Sequence, residues 1–297
     1  MLKSKSIVYR YLYPIIILLF ATYLFYLSIH FKKQLYELII KTLEVWLYKV
    51  FPPVFTIYFI SSIILSTNSI RIISFLSRPL RLLFKFNTQN GLILFLMSFV
   101  NGVPSIITLI DNYYQKRLIT KEDYLILIKC SGNISPLFIF SLTDFKIIIY
   151  IYLSHILSNI ILCFILTRTK SNYKENISNN FTNIKVNFFE QINIFPNIIL
   201  VIALYMVSSN ILIYSLNDIL PSNLLVFMEV SNGCITIITN KMQLYLLPLL
   251  LSFNGFCIHL QLITLSKNFN YKLYFNYRLL SMFITFIIYL LFNTIFI

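Results

Sequence analysis

Charge is scarce in this chain. Of its 297 residues, 11% are Asp, Glu, Lys or Arg, against about 25% in a soluble domain. Acids are the rarer kind, 10 against 24 bases, for a formal charge of +14. Cysteine and histidine number four and three. Cys130, Cys163, Cys234 and Cys257 stand in or beside apolar runs without ligand spacing, so no zinc, haem or disulfide pattern emerges, and they read as small packing residues. No G-x-S-x-G, H-E-x-x-H or P-loop Gly-Lys pattern occurs, and no paired aspartates lie within apolar segments. Nothing supports an enzyme, and no cofactor or metal is expected.

What is present is apolar surface: 58% hydrophobic residues and a mean hydropathy of +0.80. The apolar segments run continuously for about 20 residues, which favours membrane helices over the alternating strands of a barrel. Helices and closed barrels are the only backbones that satisfy themselves in lipid. The fold class expected is therefore an all-α polytopic membrane protein, with the lipid bilayer as its first partner. The bases are scattered in short loops between apolar spans, as the positive-inside rule leads one to expect, so the charge does not indicate nucleic acid. The N-terminus is basic and then apolar, but Leu24, Phe25, Tyr26 and Leu27 are bulky where a signal peptide needs small residues. It reads as a retained first transmembrane helix.

The two halves of the chain resemble each other. "FPPVFTIYFISSIILS" (51–66) matches "FPNIILVIALYMVSSNILI" (195–213); "FLMSFVNGVPSII" (95–107) matches "FMEVSNGCITII" (227–238). "LIKCSGNISPLFIFSL" (127–142) then faces "LLSFNGFCIHLQLITLS" (250–266), and two plain spans close the halves. The expected order is a Phe-Pro helix, a broken crossing helix (91–110 in the first half), a broken re-entrant hairpin (124–143) and a closing helix. The expected division is an N-terminal helix (1–34), a first repeat (35–167), a cytoplasmic linker (168–187) and a second, inverted repeat (188–297). With the N-terminus inside and the C-terminus outside, 15 of the 24 bases fall inside and 9 outside. This arrangement puts loops 67–90 and 167–187 on one face and 217–223 on the other. Lys116, Arg117 and Lys121 fall outside, and Lys32, Lys33, Lys41 and Lys49 suit an interfacial helix.

Unwound backbone at membrane depth is tolerated where it is buried in protein or lines a cavity. There, half-helix termini can hold a polar substrate or an ion. This gives Asn101, Gly102 and Pro104 a reason to interrupt an apolar run. Ser105 follows them, Asn133 and Ser135 stand on the facing break, and Asn232, Gly233, Asn254, Gly255, His259 and Gln261 come from the second half. All are candidate substrate-binding residues, with the symmetry bringing the four breaks to one centre. His259 and Gln261 lie two apart and so point about 200° apart on a helix. Glu229 stands three residues before a break with no base nearby in sequence. An ionisable group there is expensive and marks a site, so it is the candidate for coupling to sodium or a proton. Asp111, Glu122 and Asp123 read as a solvated loop.

The stretch "NGVPSIITLIDNYYQKRLITKEDYLILIKCSGNISPLFIF" (101–140) resembles the nucleoside-recognition (Gate) segment of the YlbJ-type sporulation integral membrane proteins. The matching features are Gly102 and Pro104, the linker from Arg117 to Asp123, Asn133, and Ser135 to Ile139. Phe253, Gly255 and Gln261 match that family's second signature. The family is related to concentrative nucleoside transporters. The resemblance implies a transporter in a bacterial cell membrane, the mother-cell-derived outer forespore membrane, moving dipicolinate during sporulation. A nucleoside-like solute, or a non-transporting scaffold of sporulation, are the alternatives, and a homo-oligomer is a further expected partner. Where the family carries Gly-Ala-Lys after its proline, this chain has Ser105, Ile106, Ile107 and Thr108, without the base.

Overall fold

The computed structural model of the chain describes residues 18–169 and 188–296, apart from 20, 68–72, 74, 76, 78, 143–144, 241 and 243. Much of the expected first helix and nearly all of the expected linker lie outside the described residues. Among the described residues five helical stretches are long and apolar enough to cross a membrane: Lys32–Ser66, Ile148–Thr169, Phe188–Leu216, Leu246–Leu265 and Tyr271–Ile295. The protein is an all-helical integral membrane protein.

Helix α1 (21–30) meets α2 (Lys32–Val45) at a bend on Phe31, where φ is −119° and ψ 34°. A π-helical turn, Trp46–Val50, then carries α2 directly into α3 (Phe51–Ser66). Pro52 and Pro53 explain that turn. They lack N–H groups and crowd the carbonyls a turn earlier, and a wider turn absorbs both effects. Lys32, Lys33, Lys41 and Lys49 therefore lie on one 35-residue helix with the Phe-Pro span, not on a separate interfacial helix.

Helix α4 (Gln89–Met97) is followed by an irregular turn and α5 (Ser105–Gln115), then α6 (Lys121–Cys130), α7 (Pro136–Leu142) and α8 (Phe145–Thr169). The chain doubles back between α4 and α5. Asn90 Nδ2 donates to Leu118 O at 3.0 Å, and Asp123 accepts from Asn87 N, Thr88 N and Thr88 Oγ1 at 2.7–2.9 Å. The start of α4 thus sits beside the end of α5. By contrast α6 leads away from that end, and Ser141 in α7 donates to Lys49 O at 3.0 Å. Segment 89–115, expected to run on as one crossing helix, doubles back on itself, and 121–142, expected to turn back, leads on through the break at 131–135. The reason is that the turn 116–120 is tied to the residues before α4, which a single crossing over 91–110 would carry to the far side.

The second half holds α9 (Phe188–Leu216), α10 (Ser222–Leu225), α11 (Val230–Thr239), α12 (Leu246–Phe253), α13 (Gly255–Leu265) and α14 (Tyr271–Phe296). Here too the expected hairpin at 250–266 is instead one interrupted span, Leu246–Leu265. Helix α9 runs antiparallel to α2–α3. Phe59 meets Phe188, Phe55 meets Phe195 at 5.5 Å, and Asn210 donates to Thr42 at 3.2 Å. Helices α8 and α14 are likewise antiparallel, pairing Tyr150 with Phe292 and Ser158 with Ser281.

Asp111 and Asp123 are buried, at 3% and 0% exposure, and are not a solvated loop. Asp111 accepts from Lys267 N and Asn268 Nδ2 at 3.1 and 3.0 Å, so the first half holds the loop before α14. Lys116 pairs with Glu190 across an exposed gap of 2.7 Å. Residues 85–91, 111–123, 188–190 and 267–268 thus gather at one end of the bundle. Lys116, Arg117 and Lys121 share that end with Lys85 rather than facing it.

Candidate functional site

Each half contains a place where helix cannot continue. Pro104 and Pro136 lack the N–H that a continuous helix needs, and each stands at the start of a half-helix. In the second half Asn254 takes left-handed geometry (φ 73°) and Gly255 follows it (φ 58°), ending α12 and starting α13. Asn and Gly are the residues that tolerate this region. In both halves a turn is hydrogen-bonded to the break of another helix, the turn donating in the first half and the break donating in the second. Val103 N donates to Asn133 O, Phe256 N to Phe227 O and Cys257 N to Met228 O, each at 2.9 Å. Gly102 allows the closest of these approaches, because a Cβ there would stand 2.5 Å from Ser135 N.

Where the two sets of breaks meet lies a cavity of about 50 Å³, measured as space for the centres of water molecules; it has room for several waters. Its polar lining is Asn101, Ser105, Ser135, Glu229, Ser231 and Gln261. Gly102 and Pro104 contribute backbone, and Val54, Ile57, Phe138, Ile202, Met206 and Ile258 supply much of the apolar wall. Glu229 caps α11, with Oε1 accepting from Ser231 N at 3.0 Å and Oε2 from Asn232 N at 2.7 Å. A carboxylate at a helix N-terminus answers the positive end of the dipole, which explains how an acid stands here without a base. Asn101 Oδ1 accepts from Ser61 at 2.9 Å. Gln261 donates Nε2 to Cys257 Sγ at 3.1 Å, while its buried Oε1 has no partner among the described residues, and neither has Ser135 Oγ. Among the described residues the lining therefore holds one acid, two residues with an unpaired buried polar atom and no base.

Six of the candidate residues stand outside the lining. Asn133 donates to Ser98 Oγ and accepts from Asn159, behind the cavity. Asn232 turns to Asn210. Gly233 is pressed against Val226 and Leu250, and Gly255 against Val230. Asn254 donates to Gly132 O and to Tyr274. His259 is surrounded by the rings of Phe253, Phe256, Tyr271, Tyr274 and Phe275, with Nε2 at 2.9 Å from Phe253 O. His259 and Gln261 do diverge, and only Gln261 reaches the cavity.

The sequence reading missed the polar layer behind the cavity. Arg278 is fully buried and contacts Lys129 O, Gly132 O and Asn159 Oδ1. A signal for it exists. His155, Ser158 and Asn159 follow helical spacing in an otherwise apolar span, as do Arg278, Ser281 and Thr285 in the closing helix. No protein-family model, no curated protein and no solved structure matches this chain.

Proposed function

We propose that the protein is a membrane transporter for a small uncharged organic solute of nucleoside-like chemistry, bound at the central cavity with Glu229 and Gln261 as acceptors. The observation that carries this reading is a cavity made from unwound backbone, two of whose lining residues, Ser135 and Gln261, each hold a buried polar atom with no hydrogen-bond partner among the described residues. Such atoms cost free energy until a partner arrives, and a solute bearing both donors and acceptors supplies one. The apolar wall suits a ring face.

The architecture fits the same reading. The long helix, the interrupted helix and the closing helix recur in both halves, with 222–239 in the place that 89–115 takes in the first, and the long helices α2–α3 and α9 run antiparallel. This supports an inverted repeat in which 89–115 and 222–239 are re-entrant from opposite faces, the arrangement that places a site at the midplane. The dianionic solute that the family resemblance implies fits less well. Its two carboxylates would meet Glu229 with no base in the lining. Uptake into proteoliposomes separates these readings. Saturable uptake of a radiolabelled nucleoside and none of dipicolinate is expected. Saturable dipicolinate uptake would overturn the charge argument, and transport of neither by folded protein would favour a scaffold.

The end of the bundle carrying Arg81, Lys85, Lys116, Arg117, Lys121 and Lys267 is assigned to the cytoplasm by the positive-inside rule. Cysteines placed at 85, 117 and 267 are expected to react with an impermeant maleimide from the cytoplasmic side, and one at 219 from the other side. Labelling of 85 and 117 from opposite faces would refute the doubling-back of 89–115.

A further inference from the structure

We propose that Arg278 is a positioning residue for the cavity, holding the 131–135 break unwound and tying it to the break of the second half. The functional consequence rests on the transporter reading; the geometry does not. Arg278 lies in the first third of α14 with 0% exposure, and the hydrogen-bond partners the structure gives it are two carbonyls and an amide rather than a carboxylate. Nη2 donates to Lys129 O at 2.6 Å and to Asn159 Oδ1 at 3.2 Å, and Nη1 to Gly132 O at 3.2 Å. The reason these carbonyls are free is written in the sequence. In a continuous helix Gly132 O would accept from residue 136, but residue 136 is proline and has no N–H. Lys129 O would accept from Asn133, which stands in the break. The C-terminal end of α6 is therefore a cluster of unsatisfied carbonyls carrying partial negative charge, and the guanidinium is seated there.

Two further contacts give this seat a role beyond neutralising carbonyls. Gly132 O also accepts from Asn254 Nδ2 at 2.9 Å, so a single oxygen joins the breaks of both halves. Asn159, held by Arg278, donates to Asn133 Oδ1 at 2.8 Å, and Asn133 in turn donates to Ser98 and accepts from Val103 N. The chain of contacts thus runs from the closing helix through both breaks of the first half to the turn that lines the cavity. A Cβ at Gly132 would meet the guanidinium, so a larger residue there displaces Arg278 from its seat.

The test pairs Arg278→Met and Arg278→Lys with Pro136→Ala, which returns the missing N–H to Gly132 O. For labelling and Tm each is made with Ser135→Cys as a reporter, with Ser135→Cys alone as the reference protein, and uptake is measured in the same variants carrying the native Ser135. The native thiols are buried and give the slow background. Arg278→Met is expected to lower Tm, to abolish uptake and to speed maleimide labelling at position 135 as the break loosens. Lysine, a single ammonium that cannot bridge three acceptors, should rescue only part of each. The double variant Arg278→Met with Pro136→Ala is expected to recover Tm while uptake stays lost. In it, labelling at position 135 should slow by about fivefold, on the scale of one neutral backbone hydrogen bond, as 132–136 winds into helix. A Tm and labelling rate in Arg278→Met equal to the reference, or labelling of the double variant at the reference rate, would overturn the proposal. Labelling and Tm decide the matter even if the protein with native Ser135 takes up no solute, so failure of the transport reading is seen separately.

Discussion

Glu229→Gln is expected to reduce solute uptake by about a hundredfold, the scale of losing a charged hydrogen-bond acceptor in a buried site, while the protein still inserts and folds. Both carboxylate oxygens are engaged by backbone N–H groups at the start of α11, and Glu229 lines the cavity. Glutamine offers one oxygen where two are used, and its amide group opposes one of the two N–H donors. The capping loss alone costs about 1 kcal/mol, tolerable for folding; the remaining effect falls on the solute. Uptake and solute exchange are measured side by side in proteoliposomes with pH and sodium gradients imposed separately. If Glu229 holds the solute, both activities fall together. Exchange that survives while accumulation against a gradient is lost would move Glu229 from solute binding to ion coupling. Unchanged uptake would leave it as a helix cap.

The second large effect is expected at Gly102. Even alanine there brings a Cβ to 2.5 Å from Ser135 N and 3.0 Å from Ser135 Cβ. The first of these neighbours is backbone and cannot rotate away. The turn 98–104 and the break 131–135 must separate, which strains the Val103 N to Asn133 O bond and opens the cavity wall between Gly102 and Ser135. Overpacking of this kind costs about 1–3 kcal/mol. Gly102→Ala should therefore lower Tm by several degrees and abolish uptake, and Gly102→Leu should do so more severely. Normal uptake by the alanine variant at normal expression would show that the close approach is not needed.

Much of this arrangement is legible in the sequence because its causes are local. Apolar run length reveals the spans, and Asn101, Gly102, Pro104 and the Asn254–Gly255 pair mark interruptions because of what their backbones permit or lack. Which interrupted segment turns back and which runs on is not local. That depends on Asp123 reaching Asn87 and Thr88 across more than thirty residues, and an acid in a polar linker gives no sign of such a partner. The same is true of Asn133, His259 and Asn254, whose residue types suit a site but whose contacts place them behind it. Asn159 and Arg278 could have been read from their spacing on the closing helices. Their common partner, an orphaned carbonyl created by Pro136, emerges only when donor accounting is carried across the whole chain.

The seat of Arg278 also bears on how the protein is made. Gly132 O takes both of its donors, Asn254 and Arg278, from segments synthesised more than a hundred residues later. During biogenesis the first half therefore enters the bilayer with this central acceptor unmatched, and it acquires its final form only when α14 arrives. Until then water or the insertion machinery must serve that group. Assembly is coupled to synthesis of α14, and a ribosome stalled before it would leave a half-built interior exposed to quality control.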